Sequence, residues 1–180
     1  MSKICVFCSS AEVDGSYKET AHELGRILAQ NNHTLVYGGI NQGLMGIVAS
    51  SARNQGGKII GIVPNILSNR PQLYDEAINV KDLQDRKSTM TKISDAFIAL
   101  PGGIGTLDEI TTVLADQAIG HHNKPMAIIN TNRYYEYLAA LLSRGLKERF
   151  IKAKSINLLY LAPDAQRAIT FLESNRLCKR

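Results

Sequence analysis

An apolar run from Ala96 to Leu100 leads directly into a glycine-rich turn and a helix start, the part of the chain best suited to chemistry. The turn reads Pro-Gly-Gly-Ile-Gly-Thr and ends at Thr106. Glycines let the backbone approach an anion closely, and the N–H groups that open the following helix point towards that anion. Thr106 adds a hydroxyl donor, and Glu109 lies about one helical turn further on. The pattern predicts a phosphate site beside an acid, as in an enzyme that acts on a phosphorylated small molecule.

A second glycine-rich turn, from Gly38 to Gly43, follows another apolar run. Neither turn continues into the Gly-Lys-Ser/Thr of the phosphate loop of nucleoside triphosphatases. No Gly-x-Gly-x-x-Gly follows the first apolar run and no acidic residue ends the second, so a dinucleotide fingerprint is not matched either. The two turns therefore indicate a phosphate cradle of another kind.

Apolar runs alternate with helix-length segments along the chain, which is typical of a parallel sheet covered by helices on both faces. The runs are short and unbroken by charge, as strands buried on both faces should be. We predict an α/β fold: a doubly wound, mostly parallel, Rossmann-like sheet in a single domain over residues 1–180. The predicted strands are Lys3–Cys8, Thr34–Tyr37, Lys58–Val63, Ala96–Leu100, Met126–Ile129 and Ile156–Tyr160, and the predicted helices are Ser16–Gln30, Leu44–Asn54, Lys81–Ile93, Thr106–Ile119, Tyr134–Arg144 and Asp164–Ser174.

Open parallel sheets bind ligands at the carboxyl ends of their strands, so the residues just after each strand are the candidates for a site. Ser9 and Ser10 follow the first strand, and Met45 lies just beyond the second glycine-rich turn. We expect these residues and the two turns to converge in a nucleotide cradle.

The stretch from Pro64 to Asn79 is the least regular part of the sequence. It is long enough to form a lid or a substrate loop. Within it, Tyr74, Asp75 and Glu76 are candidates for contact with a substrate base.

Length and composition place the chain among compact globular domains. Its 180 residues are 44% hydrophobic, and no apolar run approaches the roughly 20 residues that span a bilayer. The apolar run that begins at Lys3 is too short for a signal peptide. We therefore expect a cytoplasmic protein that does not enter a membrane.

Charge and cysteine content argue against two other classes of site. The net charge of +5 is spread along the chain without aromatic-basic interleaving, so we expect no nucleic-acid polymer as partner, although the field can attract small phosphorylated molecules. Cys5, Cys8 and Cys178 lack the partners of a zinc site. We expect reduced thiols and no bound metal.

Three spaced segments together resemble the lonely-guy (LOG) family of cytokinin riboside 5'-monophosphate phosphoribohydrolases, whose members are often labelled lysine decarboxylases. The likeness extends over nearly the whole chain and meets the family pattern P-G-G-x-G-T-x-x-E in full. The segments are Tyr37 to Gly46, Arg86-Lys87 with Met90, and Pro101 to Glu109.

The resemblance implies hydrolysis of the N-glycosidic bond of a nucleoside 5'-monophosphate to an adenine-type base and ribose 5-phosphate. It implies no cofactor, and a homodimer with each active site near the subunit interface. Arg86 and Glu109 inherit the catalytic roles by motif matching. Phosphate binding is assigned in the same way to Gly102, Gly103, Gly105 and Thr106. The remaining substrate contacts are assigned to Ser9, Ser10, Gly38, Gly39, Gly43, Met45, Lys87 and Met90.

Each of the residues in these roles also has a plainer interpretation. Glu109 can activate water beside the ribose, or it can be an ordinary acid favoured by the helix dipole. Arg86 offers a fork for phosphate, ribose or base, or it can pair with Asp82 or Asp85 on the surface. Lys87 can equally be solvated, while Met90 shares a helical face with Arg86 and can pack in the core.

The base and the reaction both have alternatives. The third glycine usual in the turn from Gly38 to Gly43 is Ile40 here, and the acid before Arg86 is Asp85 rather than Glu. The choice between prenylated adenine, adenine and another purine therefore stays open. A protein that carries a nucleotide or molybdenum cofactor without glycosidase activity is the second hypothesis, and the pairing of Arg86 with Glu109 argues against it.

Overall fold

The computed structural model describes residues 1–177, and Cys178 lies outside this range. Its strands are β1 (Lys3–Phe7), β2 (Thr34–Tyr37), β3 (Ile59–Pro64), β4 (Glu76–Val80), β5 (Ala96–Ala99), β6 (Met126–Ile129) and β7 (Leu159–Ala162). Its helices are α1 (Gly15–Gln30), α2 (Gly43–Asn54), α3 (Leu83–Ile93), α4 (Ile104–Ala118), α5 (Glu136–Lys147) and α6 (Ala165–Leu177). Within residues 1–177 the strands form one parallel sheet in the order β4-β3-β2-β1-β5-β6-β7.

Helices cover both faces of this sheet, which confirms the doubly wound α/β prediction. One core contains α1, α2 and α6 and includes Leu24, Val48 and Ile169. The opposite core contains α3, α4 and α5 and includes Met90 and Ile110. Strands β2, β3, β5 and β6 are buried along their whole length because both of their faces are covered. Across residues 1–177 we find no helix with the length and apolar character that a membrane span requires.

The predicted irregular segment was wrong at its carboxyl end. Residues Glu76–Val80 form β4, an edge strand that pairs only with β3, and most of its residues are exposed. A strand covered on one side lacks the unbroken apolar run by which buried strands are recognised in a sequence. Similarly, the last strand begins at Leu159 rather than Ile156, because Ala153–Ser155 forms a short 3-10 helix just before it.

The strand order places the topological switch point between β1 and β5. From there, β2, β3 and β4 extend the sheet in one direction and β5, β6 and β7 in the other. The backbone N–H of Leu100 donates to the carbonyl oxygen of Phe7 at 2.9 Å, so the two strands end side by side. The loops that follow them diverge to opposite faces and leave a crevice, the usual ligand site of such sheets.

Candidate active site

A cavity of about 290 Å³ opens in this crevice. Its wall is formed by the end of β1 and the loop after it, the turn after β2 with the start of α2, the segment after β3, helix α3 and the start of α4. The predicted site residues that line it are Ser9, Ser10, Gly38, Met45, Arg86, Gly103, Gly105, Thr106 and Glu109. The volume is close to the lower end of the usual range for small-molecule sites.

The glycine-rich turn after β5 forms one wall and opens helix α4. Gly103 is the N-cap residue, and its extended backbone carries no side-chain cap for the first N–H groups of the helix. No capping side chain therefore accepts from those N–H groups, and they face the cavity together with the positive end of the helix dipole. This arrangement suits a phosphate group.

Packing behind the turn fixes its shape. A Cβ atom on Gly102 would lie 2.1 Å from Oγ1 of Thr106, so only glycine fits against that buried threonine. The hydroxyl of Tyr134 donates to the Gly102 carbonyl at 2.8 Å, and the hydroxyl of Tyr135 donates to the Leu100 carbonyl at 2.8 Å. Gly102 thus supports the turn from behind, while Gly103 and Gly105 line the cavity.

Arg86 reaches the cavity from α3 and lies directly against Gly38. A Cβ atom at position 38 would meet Nη2 of Arg86 at 1.7 Å, so the glycine leaves the space that the guanidinium occupies. Neither acid of the plainer interpretation holds it: Asp82 caps α3 through the N–H groups of residues 84 and 85, and Asp85 accepts from the N–H of Lys81.

The guanidinium of Arg86 is left with unused donors. Its Nε is buried without a hydrogen-bond partner among residues 1–177. Leaving a buried charged donor unpaired costs on the order of 1–3 kcal/mol, so such a group is expected to serve a ligand. Because Arg86 lines the cavity, a ligand held there would meet its side chain.

Glu109 lies on the first turns of α4 and faces the same cavity. Burial raises its pKa to about 7, against the opposing effect of the Arg86 charge, while Asp108 raises it and Lys87 lowers it. At neutral pH the carboxyl is therefore divided between its protonated and ionised forms, the condition that suits a general base. Cys8 lines the cavity nearby, and burial followed by the Glu109 charge raises the pKa of its thiol far above the ordinary value.

The opposite wall comes from the loop after β1 and the start of α2. The Ser9 hydroxyl accepts from the N–H of Ala11 at 3.0 Å, and the Ser9 carbonyl accepts from the N–H of Met45 at 3.3 Å. Gly43 packs behind this loop with a positive φ of 52°, and a Cβ there would lie 2.5 Å from the Ala11 carbonyl oxygen. Gly43 shapes the wall but does not line the cavity.

Three further predicted contacts lie away from the cavity. Gly39 has φ +78°, and a Cβ there would meet Val63 on the neighbouring strand at 2.6 Å. Lys87 turns from Arg86 and binds both carboxylate oxygens of Asp108 at 2.9 Å. Met90 is 1% exposed and packs in the core between α3 and the sheet, which was its plainer interpretation. Each of these three residues therefore has a structural contact, and its role as a substrate contact stays a prediction.

Two of the candidates for base contact, Asp75 and Glu76, lie away from this cavity. Asp75 exchanges hydrogen bonds with the backbone of Ile59, where β3 and β4 begin, so it lies at the amino end of the sheet and the cavity at the carboxyl end. Tyr74 is half-buried and packs beside Gly39 and Gly61. The sequence contains no sign that β4 starts at this point.

Other residues line the cavity that sequence reasoning did not assign. They include Cys8, Ile40, Gln42, Leu67 and Arg70. Ile40 and Gln42 belong to a turn that the sequence did single out, so their position at a strand end is the signal that identifies them. Arg70 and Leu67 lie in the segment after β3, where no local pattern marks them.

Metal ligands do not gather at this site. The described part of the chain contains no cluster of three or more His, Cys, Asp or Glu side chains that would hold a metal ion. Cys5 and Cys8 belong to cores on opposite faces of the sheet, because side chains alternate along a strand. Both are free thiols.

Fold and site together define a class: a Rossmann-like α/β protein whose crevice combines a glycine-rich helix start with an arginine and a glutamate whose pKa burial raises to about 7. A family model described as "Possible lysine decarboxylase" matches residues 45–172. Cytokinin riboside 5'-monophosphate phosphoribohydrolase LOG1 of Arabidopsis thaliana is 41% identical over 175 residues, 95% of this chain and 82% of that protein. The probable phosphoribohydrolase LOGL9 of Oryza sativa subsp. japonica is 40% identical over 175 residues, 95% and 77% of the two chains. The chain belongs to this lonely-guy (LOG) family.

Solved structures share the fold. The molybdenum cofactor binding protein of Rippkaea orientalis superposes with a TM-score of 0.75 at 26% identity, over 97% of this chain and 96% of that one. The molybdenum cofactor carrier protein of Chlamydomonas reinhardtii gives a TM-score of 0.74 at 23% identity, over 99% and 100% of the two chains. The second similarity concerns the fold alone.

Proposed function

We propose that this protein hydrolyses the N-glycosidic bond of a nucleoside 5'-monophosphate, cytokinin riboside 5'-monophosphate or AMP, to an adenine-type base and ribose 5-phosphate. The observation that carries the proposal is the convergence of Arg86 and Glu109, from two helices, on a cavity that ends at an uncapped glycine-rich helix start. The names of the 38–41% identical relatives support the same reaction.

The phosphate occupies the turn in this mechanism. Backbone N–H groups at Gly103 and Gly105 and the Thr106 hydroxyl are the donors, and the α4 dipole adds to their attraction. When the phosphate is held there, the ribose lies beside Glu109 and Arg86, which also line the cavity. Binding energy from the phosphate then fixes the reacting carbon in place.

Glu109 acts on water and on the developing sugar cation. As the bond from C1' to the base nitrogen breaks, its electron pair leaves with the base and C1' takes on oxocarbenium character. The ionised carboxylate stabilises that charge and removes a proton from the attacking water, whose oxygen bonds to C1'. The proton passes to the departing base, so the products are the free base and ribose 5-phosphate.

Arg86 supplies permanent positive charge and a planar set of donors. Its guanidinium lies against Gly38 in the cavity wall, where its N–H groups can donate to a ribose or phosphate oxygen of the substrate. The same charge opposes the effect of burial on Glu109, which keeps a useful ionised fraction of the carboxyl at neutral pH. The two residues therefore function as a pair.

The proposal extends to a cytoplasmic homodimer. Large apolar side chains are exposed around α5, among them Tyr137 (87%), Leu141 (64%) and Phe150 (84%). Tyr137 and Leu141 lie four residues apart on α5 and so share one face of it, and an exposed apolar helix face is typical of an interaction surface. Light scattering on the purified protein should give twice the chain mass, and a monomer at micromolar concentration would contradict this part of the proposal.

A carrier of a phosphorylated cofactor is the second candidate, favoured by the 26% identity to the molybdenum cofactor binding protein. A carrier has no need of a carboxyl poised at neutral pH beside an arginine. It predicts tight retention of the ligand without release of a base.

Base release decides between these functions. The protein is incubated with AMP and with isopentenyladenosine 5'-monophosphate, and free base is measured by chromatography. We expect turnover by the natural chain and its loss in Glu109→Gln, with nucleotide binding retained. Glu148→Gln serves as the matched control, because the ion pair that Glu148 makes within residues 1–177 is with Arg144 at the surface. Full activity in Glu109→Gln would remove Glu109 from the mechanism, and absence of base release with tight binding would favour the carrier.

A further inference from the structure

The peptide group between Gly102 and Gly103 lies within the glycine-rich turn after β5. Gly103 lines the cavity, and Gly102 packs behind it against Thr106. Steric contacts restrict a peptide group between two glycines poorly, because neither residue carries a Cβ atom. The direction of this N–H group therefore needs a contact from outside the turn to fix it.

A hydrogen bond from Tyr134 supplies that contact. The Tyr134 hydroxyl donates to the Gly102 carbonyl oxygen at 2.8 Å, and Tyr134 does not line the cavity. In a trans peptide the C=O and the N–H point to opposite sides, so the N–H of Gly103 is turned away from Tyr134 and towards the cavity that Gly103 lines. Within residues 1–177 no acceptor takes that N–H.

Aromatic and backbone contacts hold the Tyr134 ring in place. The rings of Tyr17 and Tyr135 meet it edge-on, with centroids 6.3 and 5.0 Å away. The N–H of Tyr135 donates to Oδ1 of Asn130 at 2.7 Å, which anchors the main chain beside Tyr134 to the end of β6. The hydroxyl is therefore presented to Gly102 from a fixed ring.

The segment that leads into Tyr134 is strained. Asn132 and Arg133 both adopt a left-handed backbone, with φ 52° and 62°. This conformation costs free energy in residues other than glycine, and it persists where the surrounding structure imposes it, often beside ligand sites. Here Nδ2 of Asn132 donates to Oγ of Ser16 at 2.8 Å, which fastens the strained segment to α1.

We infer that Tyr134 is a positioning residue for phosphate binding. Its hydroxyl holds the Gly102 carbonyl, and this directs the Gly103 N–H to the 5'-phosphate of the substrate. Tyr134 itself touches no substrate. The inference rests on the proposed function and deepens it, because it makes recognition of the phosphate depend on a residue outside the glycine-rich turn.

Tyr134→Phe tests the inference, because it removes the hydroxyl and keeps the ring. The values of kcat and KM are measured for AMP and for adenosine, which lacks the phosphate. We expect the ratio of kcat/KM for AMP to that for adenosine to fall about tenfold, since one donor to a charged group is no longer held in place. The phosphate contact is present in both the bound substrate and the transition state, so the fall should lie mainly in KM for AMP. Activity on adenosine and the circular dichroism spectrum should not change.

Two matched variants separate the direction of the N–H from the rigidity of the turn. Tyr135→Phe removes the neighbouring hydroxyl, which donates to the Leu100 carbonyl at 2.8 Å. Leu100 is followed by Pro101, which has no N–H, so this bond directs no donor. We expect Tyr135→Phe to lower Tm and to keep the ratio. Tyr17→Phe should keep both, because the Tyr17 hydroxyl makes no hydrogen bond within residues 1–177 although its ring meets Tyr134.

Binding of AMP and adenosine is also measured by calorimetry in the Glu109→Gln background, where turnover is stopped. A fall in the ratio of their affinities on adding Tyr134→Phe supports the inference even if the natural chain releases no base, and so separates it from the proposed function. An unchanged ratio in Tyr134→Phe, an equal fall in Tyr135→Phe, or equal affinities for AMP and adenosine before Tyr134 is changed would each overturn it.

Discussion

At the residue scale, the site depends on side chains that are left incompletely satisfied by the protein itself. Arg86 keeps a buried Nε without a partner within residues 1–177, and burial holds the Glu109 pKa near neutrality. Both features oppose stability in the free protein and are useful only when a substrate is bound. The space for Arg86 comes from Gly38, which connects a glycine in the turn to the reaction.

Gly38→Ala tests that connection. The added methyl group would overlap Nη2 of Arg86, and because the guanidinium is the flexible end of a side chain, it moves while the fold survives. A displacement of about 1 Å at a catalytic group is sufficient to reduce the rate about a hundredfold. We expect kcat/KM to fall by that order with an unchanged circular dichroism spectrum. Gly15→Ala, which meets no atom within 4 Å, should be fully active, and an equally active Gly38→Ala would contradict this role.

At the element scale, an ion pair joins the two helices that carry the catalytic groups. Lys87 on α3 binds Asp108 on α4, so each partner is adjacent in sequence to Arg86 or Glu109. The pair fixes one helix start against the other. It also adjusts the Glu109 carboxyl electrostatically, since the Lys87 charge lowers its pKa and the Asp108 charge raises it.

Variants of this pair should move the pH profile in opposite directions. The ionised carboxylate is the active form, so kcat/KM rises with pH through the Glu109 pKa of about 7. Lys87→Met should shift the rising limb to higher pH, and Asp108→Asn should shift it to lower pH. Each variant should lose no more than about 1 kcal/mol of stability. Lys18→Met, which breaks the Lys18–Glu12 ion pair elsewhere on the surface, is the control. Shifts of the rising limb in the same direction in Lys87→Met and Asp108→Asn would contradict this effect of the two charges on Glu109.

At the scale of the whole molecule, the fold contains a buried glutamate whose ionised form lowers the free energy of unfolding. The raised pKa of Glu109 means that its contribution to folding is fully present below the unfolded value near 4.5 and is lost as pH rises to about 7. Above that pH, the folded chain carries a buried negative charge that the unfolded chain solvates.

Glu109→Gln should therefore stabilise the ligand-free protein at alkaline pH. The variant's advantage in free energy of unfolding should grow between pH 4.5 and 7 and remain constant above, on the order of 1–2 kcal/mol after allowing for partial exposure. That corresponds to about 5 °C in Tm at pH 8. Thermal unfolding at pH 5 and pH 8 checks it, and a variant less stable than the natural chain at pH 8 would be inconsistent with a buried ionised carboxylate.

Local sequence patterns predicted the parts of this molecule that local physics controls. The strands buried on both faces and the glycine turn after β5 were recognisable because an apolar run or a glycine-rich turn is visible in the local sequence. Strand β4 and Arg70 were not, since an edge strand lacks the apolar run and Arg70 gains its position from the bridge between Ile40 and Gln72. Lys87 and Met90 share a helix with Arg86, but only the packing of α3 decides which of the three faces the cavity.

The central claim is that one cavity holds the phosphate at the α4 turn and cleaves the glycosidic bond beside Glu109. Its most direct test is the ratio of kcat/KM for AMP to that for adenosine, with base and ribose 5-phosphate measured together. We expect equal amounts of the two products and a ratio of about a hundred or more, because each charge-assisted hydrogen bond to phosphate contributes about 1.5–3 kcal/mol. Equal rates for nucleotide and nucleoside, or no base from either, would contradict the account.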